Sequence, residues 1–289
     1  MIEKNRENKK GFVDMNPFMF IIQTIAIAFL PQLILGFVLG LIPSTRVQNF
    51  FLYGTPAMII NLYITGVSIL FMYIFAKKKG FSKKDLGLKV DTTLYLKGAI
   101  IGGGMLSLAV ILAFVLGGLK IWINISNISL GIFILFIGGW LLQGFQEEFL
   151  TRSILMTYFR EKYDIKMAIL INSIIFSLLH LGNTSFGIIP LINIFLIGLV
   201  FSLLVLVSDS ILVAGAAHSF WNMFQANIFG IAVSGNEKNM NTIFMSEPVG
   251  NKLISGGGFG IEGSIIVTIL EIIAIVVLYK KLIKRLKLA

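Results

Sequence analysis

The chain has 289 residues, of which 56% are hydrophobic and 13% are charged, and its formal net charge is +10. Soluble domains carry about 25% charged residues, so this composition excludes an ordinary soluble protein. Cysteine is absent, which excludes disulfide bonds, a thiol nucleophile and thiolate metal ligands.

Apolar runs of about 20 residues recur along the whole chain, and each is long enough to cross about 30 Å of hydrocarbon as a helix. We therefore predict an all-α membrane protein, a polytopic bundle of about eight transmembrane helices. The first run follows a basic segment and lacks a small-residue cleavage site, so we interpret it as a membrane helix and not as a signal peptide. The predicted spans are about 17–43, 55–76, 96–118, 128–150, 166–182, 187–207, 210–231 and 261–281.

The basic residues follow the predicted topology. An even number of spans places both termini on one side of the membrane. If that side is the cytoplasm, its segments hold 20 of the 24 basic residues, and the exceptions are Arg46, Lys120, Lys238 and Lys252. The positive-inside rule therefore predicts a multi-pass protein of the plasma membrane with cytoplasmic termini. Because the charge follows the topology, we expect the lipid bilayer and no nucleic acid as a partner.

The predicted spans leave no room for a soluble domain. We divide the chain into a cytoplasmic N-terminal segment 1–16, a single transmembrane domain 17–281 and a basic cytoplasmic tail 282–289. Segment 77–95 is a lysine-rich loop that we expect to fix the topology and to contact anionic lipid. Segment 232–260 is rich in Asn, Ser and Gly, and we predict a loop with little regular structure.

Ionisable residues inside the spans are candidates for function, because a charge at mid-helix costs about 2.5–3.5 kcal/mol. Both histidines of the chain fall within apolar segments that we predict to be helical. Glu271 stands alone in an apolar segment, without other ionisable residues nearby, so we assign it to helix packing or to a buried hydrogen bond. The full set is Glu147, Glu148, His180, His218, Glu271 and, at a span boundary, Asp209.

The segment EEFLTR contains two adjacent glutamates and an arginine. Neighbouring residues of a helix point about 100° apart, so Glu147 and Glu148 cannot share a face. Glu148 and Arg152 are i,i+4 neighbours and can form an ion pair, which would leave Glu147 free for chemistry. Alternatively, both glutamates mark the cytoplasmic end of the fourth span and lie in water.

Two further segments place polar side chains at i,i+4 spacing. FSLLH brings Phe176 and His180 to one helix face, and HSFWN does the same for His218 and Asn222. The small residues AGAA just before His218 would let another helix approach closely. The alternatives are a hydrogen-bonded packing histidine at position 180 and an interhelical hydrogen-bond pair at 218 and 222.

Together, these side chains contain the parts of a hydrolytic site. A carboxylate or an imidazole can take a proton from water, and an imidazole or a carboxamide can donate to a developing oxyanion. We therefore expect Glu147, His180, His218 and Asn222, from three separate helices, to surround one water-filled cavity.

The ordered motifs resemble the CPBP family of intramembrane proteases, which includes the type II CAAX prenyl endopeptidases and many bacterial Abi-type proteins. EEFLTR fits EExxxR, FSLLH fits FxxxH and HSFWN fits HxxxN, within a core of about residues 128–231. The resemblance implies an all-helical membrane fold with an active-site cavity that opens toward the cytoplasm.

The resemblance also implies roles for individual residues. Glu147 would activate a water that His180 helps to hold. His218 and Asn222 would stabilise the oxyanion. The residues that support these four are Glu148, Arg152 and Phe176.

No cofactor follows with certainty from the sequence. Two histidines and one glutamate form an established catalytic zinc set, so Glu147, His180 and His218 could bind zinc or another divalent metal. The chain contains no HExxH helix, and the three ligands would have to converge from three helices. The family has been described both as glutamate-dependent and as metal-dependent.

We therefore predict an intramembrane endopeptidase that uses a glutamate-activated water to hydrolyse a peptide bond of a membrane-associated protein or peptide, with or without a lipid anchor. Two alternatives stay open: a non-catalytic membrane protein that acts in immunity or as a scaffold, and a proton-coupled transporter. The sequence carries no signal for the oligomeric state.

Overall fold

A computed structural model describes residues 11–288 and shows an all-α membrane bundle. The basic residues Lys4, Arg6, Lys9 and Lys10 of the predicted N-terminal segment lie outside the described residues, as does Ala289 of the predicted tail. The helices are α1 (Pro17–Gly40), α2 (Thr45–Leu52), α3 (Gly54–Lys78), α4 (Thr92–Val115), α5 (Leu130–Glu148), α6 (Met156–Lys162), α7 (Ile165–Leu178), α8 (Ile188–Ser208), α9 (Ile211–Met223), α10 (Lys252–Ser255) and α11 (Ile265–Leu288).

The helices begin at sequence signals that satisfy their first N–H groups. The side chain of Asn16 accepts hydrogen bonds from the first turn of α1, and Pro17 occupies the first helical position, where its missing N–H costs nothing. Asp91 and Ser210 cap α4 and α9 in the same way. These caps set the starts of two helices that line the centre of the bundle.

Each of the eight predicted spans falls on a helix of the structure. Five described helical segments are long and apolar enough to cross a membrane, namely α1, α3, α4, the continuous segment Leu130–Lys162 and α8. The remaining predicted spans correspond to α7, α9 and α11. The number of eight crossings therefore stays a prediction.

The centre of the bundle is α9, which packs against α4, α5 and α8. Pairs α1–α3, α3–α5, α7–α8 and α8–α11 complete the arrangement. The outer faces carry large apolar side chains that are exposed in the isolated chain, for example Phe37 at 69% and Ile100 at 73%. Such extensive exposed apolar surface is typical of a face that contacts lipid.

Small residues allow α4 and α9 to approach closely. A Cβ added at Gly98 or Gly102 of α4 would collide with the backbone carbonyl oxygens of Val213 and Ala217, respectively. The predicted close approach at the AGAA segment is therefore present, and α4 is the helix that makes it.

The two ends of the bundle differ. At one end, hereafter the basic end, Phe12 stacks on Phe81 at 3.9 Å and Phe20 stacks on Tyr158 at 4.0 Å between ring centroids. The lysine-rich loop that follows α3 lies at this end. These contacts hold the segment before α1 against the loop.

At the other end, hereafter the sheet end, the structure corrects a prediction. Strand β1 (Leu119–Ile123) pairs antiparallel with β2 (Phe244–Pro248), and α10 follows β2. The prediction that 232–260 has little regular structure was therefore wrong, since pairing with a distant segment provides the backbone hydrogen bonds that form β2. Helix α2 also lies at this end, between two predicted spans.

Candidate active site

The two glutamates of EEFLTR lie near the middle of one continuous helical segment, Leu130–Lys162. They form the last turn of α5, and the chain passes directly into a π-helical segment at Phe149–Leu155. The helical segment therefore continues past residue 150, where we predict the fourth span to end. Glu148 is fully buried, so the alternative that both glutamates lie in water is excluded. A π-helical turn changes the direction of the following side chains and is frequent beside functional sites.

Glu148 is the anchor of a buried polar network. Its Oε1 accepts a hydrogen bond from Arg152 Nη1 at 3.0 Å and one from His218 Nδ1 at 3.0 Å. Arg152 Nη2 also donates to the carbonyl oxygen of Gly198 at 2.9 Å, and its guanidinium lies 4.4 Å from the ring centroid of Phe176. The predicted i,i+4 ion pair is therefore present, and it fixes the orientation of His218.

Glu147 has different surroundings, although it precedes Glu148 directly. Its side chain is 25% exposed. Its Oε1 accepts a hydrogen bond from Gln143 Nε2 at 2.5 Å, whereas Oε2 accepts none from the described residues. This oxygen lies 4.0 Å from His180 Nε2 and 3.8 Å from His218 Nε2. Three of the four predicted catalytic side chains thus converge on one point.

His180 lies two residues beyond the end of α7, so the prediction that it belongs to the helix itself was wrong. Its Nδ1 is 2.9 Å from the carbonyl oxygen of Phe176, and the two rings are 5.0 Å apart. A carbonyl oxygen only accepts hydrogen bonds, so Nδ1 carries the proton and a neutral ring presents the lone pair of Nε2 toward Glu147. The backbone turn, more than the helix face, orients this imidazole.

Asn222 joins the same network through Gln143, a residue that the sequence reasoning missed. Asn222 Nδ2 donates to Gln143 Oε1 at 2.8 Å. Because Glu147 can only accept, Gln143 must turn its NH2 group toward Glu147 and its oxygen toward Asn222. The signal in the sequence was the i,i+4 spacing of Gln143 and Glu147 on a helix that is otherwise apolar.

A cavity of about 600 Å³ contains this point of convergence. Its walls come from α1, α3, α5 and α9, from residues at and just after the end of α7, and from the loop 231–239. Along α3, which is about 37 Å long, the lining residues lie between Gly54 and Thr65, in the half nearer the sheet end. The cavity therefore extends from Glu147 toward the sheet end and away from the lysine-rich loop.

This direction conflicts with one expectation from the resemblance. The resemblance implied a cavity that opens toward the cytoplasm, whereas the positive-inside rule assigns the basic end to the cytoplasm. The cavity is directed toward the sheet end, so these two expectations cannot both hold. If the basic end is cytoplasmic, the cavity opens away from the cytoplasm.

Glu147, His180 and His218 carry the donor atoms of a metal site, but the atoms lie too far apart for one. Nitrogen and oxygen ligands of a tetrahedral zinc, at about 2.0–2.2 Å from the metal, lie about 3.3–3.6 Å from each other. The distances from Glu147 Oε2 to the two histidines are longer, and within residues 11–288 no three His, Asp or Glu side chains are grouped to hold a metal ion. The donor types suit zinc, but their spacing does not.

A second buried polar cluster lies behind the two imidazoles. Glu262 accepts hydrogen bonds from Trp221, Gln225 and Ser234, the shortest being 2.6 Å from the Ser234 backbone N–H. Glu271 is 1% exposed, and its Oε2 has no hydrogen-bond partner within the described residues. The buried position of Glu271 agrees with the expected role in packing.

Part of the chain matches the model of a known protein family. Residues 128–224 match the family model described as type II CAAX prenyl endopeptidase Rce1-like, and this range contains all three motifs. No curated protein and no solved structure matches the chain. The family indicates a protease that is, in general terms, an intramembrane endopeptidase of the CAAX type. Through this segment, which is about a third of the chain, the protein is similar to the CPBP family of CAAX-type proteases.

Proposed function

We propose that the chain hydrolyses a peptide bond of a membrane-associated protein or peptide with a water molecule that Glu147 activates. The observation that carries this proposal is the convergence of Glu147 Oε2, His180 Nε2 and His218 Nε2 inside the cavity. All three atoms belong to groups that exchange protons near neutral pH or accept hydrogen bonds from water.

The spacing of these atoms suits a water molecule. Distances of 3.8 and 4.0 Å are too long for direct hydrogen bonds but can be bridged by one water. Such a water would donate one hydrogen to Glu147 Oε2 and the other to the lone pair of His180 Nε2. Its own lone pair would then face the substrate carbonyl.

The oxyanion would be stabilised from α9. Asn222 uses one N–H in the bond to Gln143 and has a second N–H to donate. His218 already donates its Nδ1 proton to Glu148, so it must carry a proton on both nitrogens to donate from Nε2. The carboxylate of Glu148 compensates that charge, and preorganised donors of this kind stabilise developing negative charge.

The proton balance is simple. Glu147 takes a proton from the water while the water oxygen bonds to the carbonyl carbon, which gives a tetrahedral oxyanion. The carbonyl re-forms as the C–N bond breaks, and the proton held by Glu147 passes to the leaving nitrogen. The products are a carboxylic acid and an amine, and Glu147 returns to its ionised form.

The first test replaces Glu147 with Gln. We expect Glu147→Gln and His180→Ala to lose cleavage of a peptide by purified protein in detergent, with thermal unfolding close to that of the native chain. The matched control is Glu161→Gln, since Glu161 pairs with Arg160 at 3.5 Å on a partly exposed surface. Full activity of Glu147→Gln would refute the proposed role.

The substrate can be sought in membranes. Peptides isolated from membranes of cells with the native chain should include products that disappear with Glu147→Gln. Identical peptide sets, together with proton-coupled uptake by reconstituted vesicles, would favour a transporter instead. Identical sets without transport would favour a non-catalytic scaffold or immunity role.

Metal dependence is a separate question. We propose chemistry that needs no metal, and activity should survive dialysis against a strong chelator. Loss of activity on chelation, restored by zinc, would instead assign Glu147, His180 and His218 as ligands.

A further inference from the structure

The uncompensated charge in the active-site cavity is negative, because Glu148 balances the imidazolium that we propose for His218. Glu147 lies at its inner end and Glu237 lies in the loop at the sheet end, and the described residues that line the cavity include no lysine or arginine. The neighbouring cations are engaged elsewhere. Lys238 Nζ donates to the carbonyl oxygen of Ser246 at 2.7 Å, and Arg152 is buried against Glu148.

The polar part of the lining consists largely of carboxamides. Asn61, Asn183, Asn236 and Asn239 all contribute to it. Asn239 lines the cavity and is 3% exposed, and its buried Nδ2 has no hydrogen-bond partner within the described residues, so one donor beside the cavity is unpaired. Carboxamides both donate and accept hydrogen bonds, as a peptide backbone does, which suits an extended peptide along the wall.

This combination disfavours a free carboxylate in the cavity. A carboxylate that leaves water without a cationic partner loses its hydration and gains repulsion from the two glutamates. A lysine or arginine side chain would gain attraction from the same two groups.

We propose, on the basis of the proposed function, that the substrate presents a peptide segment that is neutral or positively charged around the scissile bond. Its C-terminal carboxylate is not bound within the cavity. Glu237 is the residue that selects for charge, and Asn239 binds the peptide backbone.

The test uses a peptide that the purified protein cleaves. It is synthesised with Lys, Gln or Glu at one position flanking the scissile bond, and each version is made as a free acid and as an amide. We expect kcat/KM to fall by about tenfold from Lys to Glu, since attraction to two carboxylates is replaced by repulsion and each exposed charge pair contributes modestly. We expect the amide to be cleaved at least as fast as the acid.

Variants then locate the effect. Glu237→Gln should reduce the Lys-to-Glu ratio to about threefold. The control is Glu247→Gln, which removes an exposed carboxylate on β2 that does not line the cavity and should leave the ratio unchanged. A faster reaction with Glu peptides or with free acids would overturn the proposal, as would an unchanged ratio in Glu237→Gln.

Peptide binding separates this proposal from the proposed function. Fluorescence anisotropy with the Glu147→Gln protein reports affinity without cleavage. If no peptide is cleaved by the native chain but the affinity order is still Lys, Gln, Glu, the catalytic proposal fails and the charge preference stands. An affinity that does not depend on charge overturns the preference.

Discussion

At the residue scale, Glu147 and Glu148 are neighbours in sequence with opposite surroundings. Glu148 is fully buried and bonded to Arg152 and His218, so it holds other side chains in place. Glu147 is a quarter exposed, and its Oε2 has no hydrogen-bond partner among residues 11–288. A rotation of about 100° per residue is enough to put one carboxylate in the packed interior and the other in the cavity.

The buried ion pair predicts a large loss of stability when it is broken. Replacing Arg152 with Met leaves Glu148 buried without its cation, which costs about 3–5 kcal/mol. The control Arg160→Met breaks a partly exposed pair and should cost less than about 1 kcal/mol. Equilibrium unfolding in detergent measures both, and equal effects would contradict the assignment of Glu148 as an anchor.

Gln143 should affect the reaction more than substrate binding. In Gln143→Met, Glu147 loses a hydrogen-bond donor and Asn222 loses its acceptor, and a bond to a charged group is worth about 1.5–3 kcal/mol. We expect kcat to fall by about 10- to 100-fold with little change in KM. The control Gln48→Met removes two hydrogen bonds to backbone carbonyls at a residue that does not line the cavity, and it should leave kcat unchanged. An unchanged kcat in Gln143→Met would show that Gln143 does not position Glu147.

These residues also show what the sequence can reveal about a site. The pair Glu148–Arg152 was predictable because both residues lie on one helix and their spacing fixes their distance. The bond between Gln143 and Asn222 was not, because it depends on how α5 and α9 align. The place of His180 after α7 was hidden too, since the apolar run continues past the helix end at Leu178.

At the element scale, the contact of α4 with α9 positions the helix that carries His218 and Asn222. A methyl group at Gly102 would collide with the backbone of Ala217, whereas one at Gly104 meets no atom within 4 Å. Gly102→Ala should therefore destabilise the fold by about 1–3 kcal/mol, and Gly104→Ala should not. Thermal unfolding of the two variants compares the same substitution on one helix. Equal melting temperatures would mean that α4 can shift without cost.

Elements that form because of their own local sequence were predicted, whereas elements that depend on contacts with a distant segment were not. The long helices follow from apolar runs, and every predicted span falls on a helix, including the shorter α7 and α9. Strands β1 and β2 depend on each other across more than 100 residues, so neither segment alone indicates a strand. The π-helical turns after Glu148 and after Met223 leave no pattern in the sequence, although both follow the motifs directly.

At the scale of the whole molecule, the orientation of the bundle decides which compartment supplies the substrate. The lysine-rich loop lies at the basic end, and the cavity extends toward the sheet end. The positive-inside rule then predicts that the cavity faces away from the cytoplasm.

The chain has no cysteine, so single cysteines can be labelled without background. We expect a membrane-impermeant maleimide to label Met240→Cys, at an exposed position of the sheet end, in intact cells. Lys83→Cys, at the basic end, should react only after permeabilisation. The reverse pattern would show that the cavity opens to the cytoplasm and that the charge distribution does not set the topology of this chain.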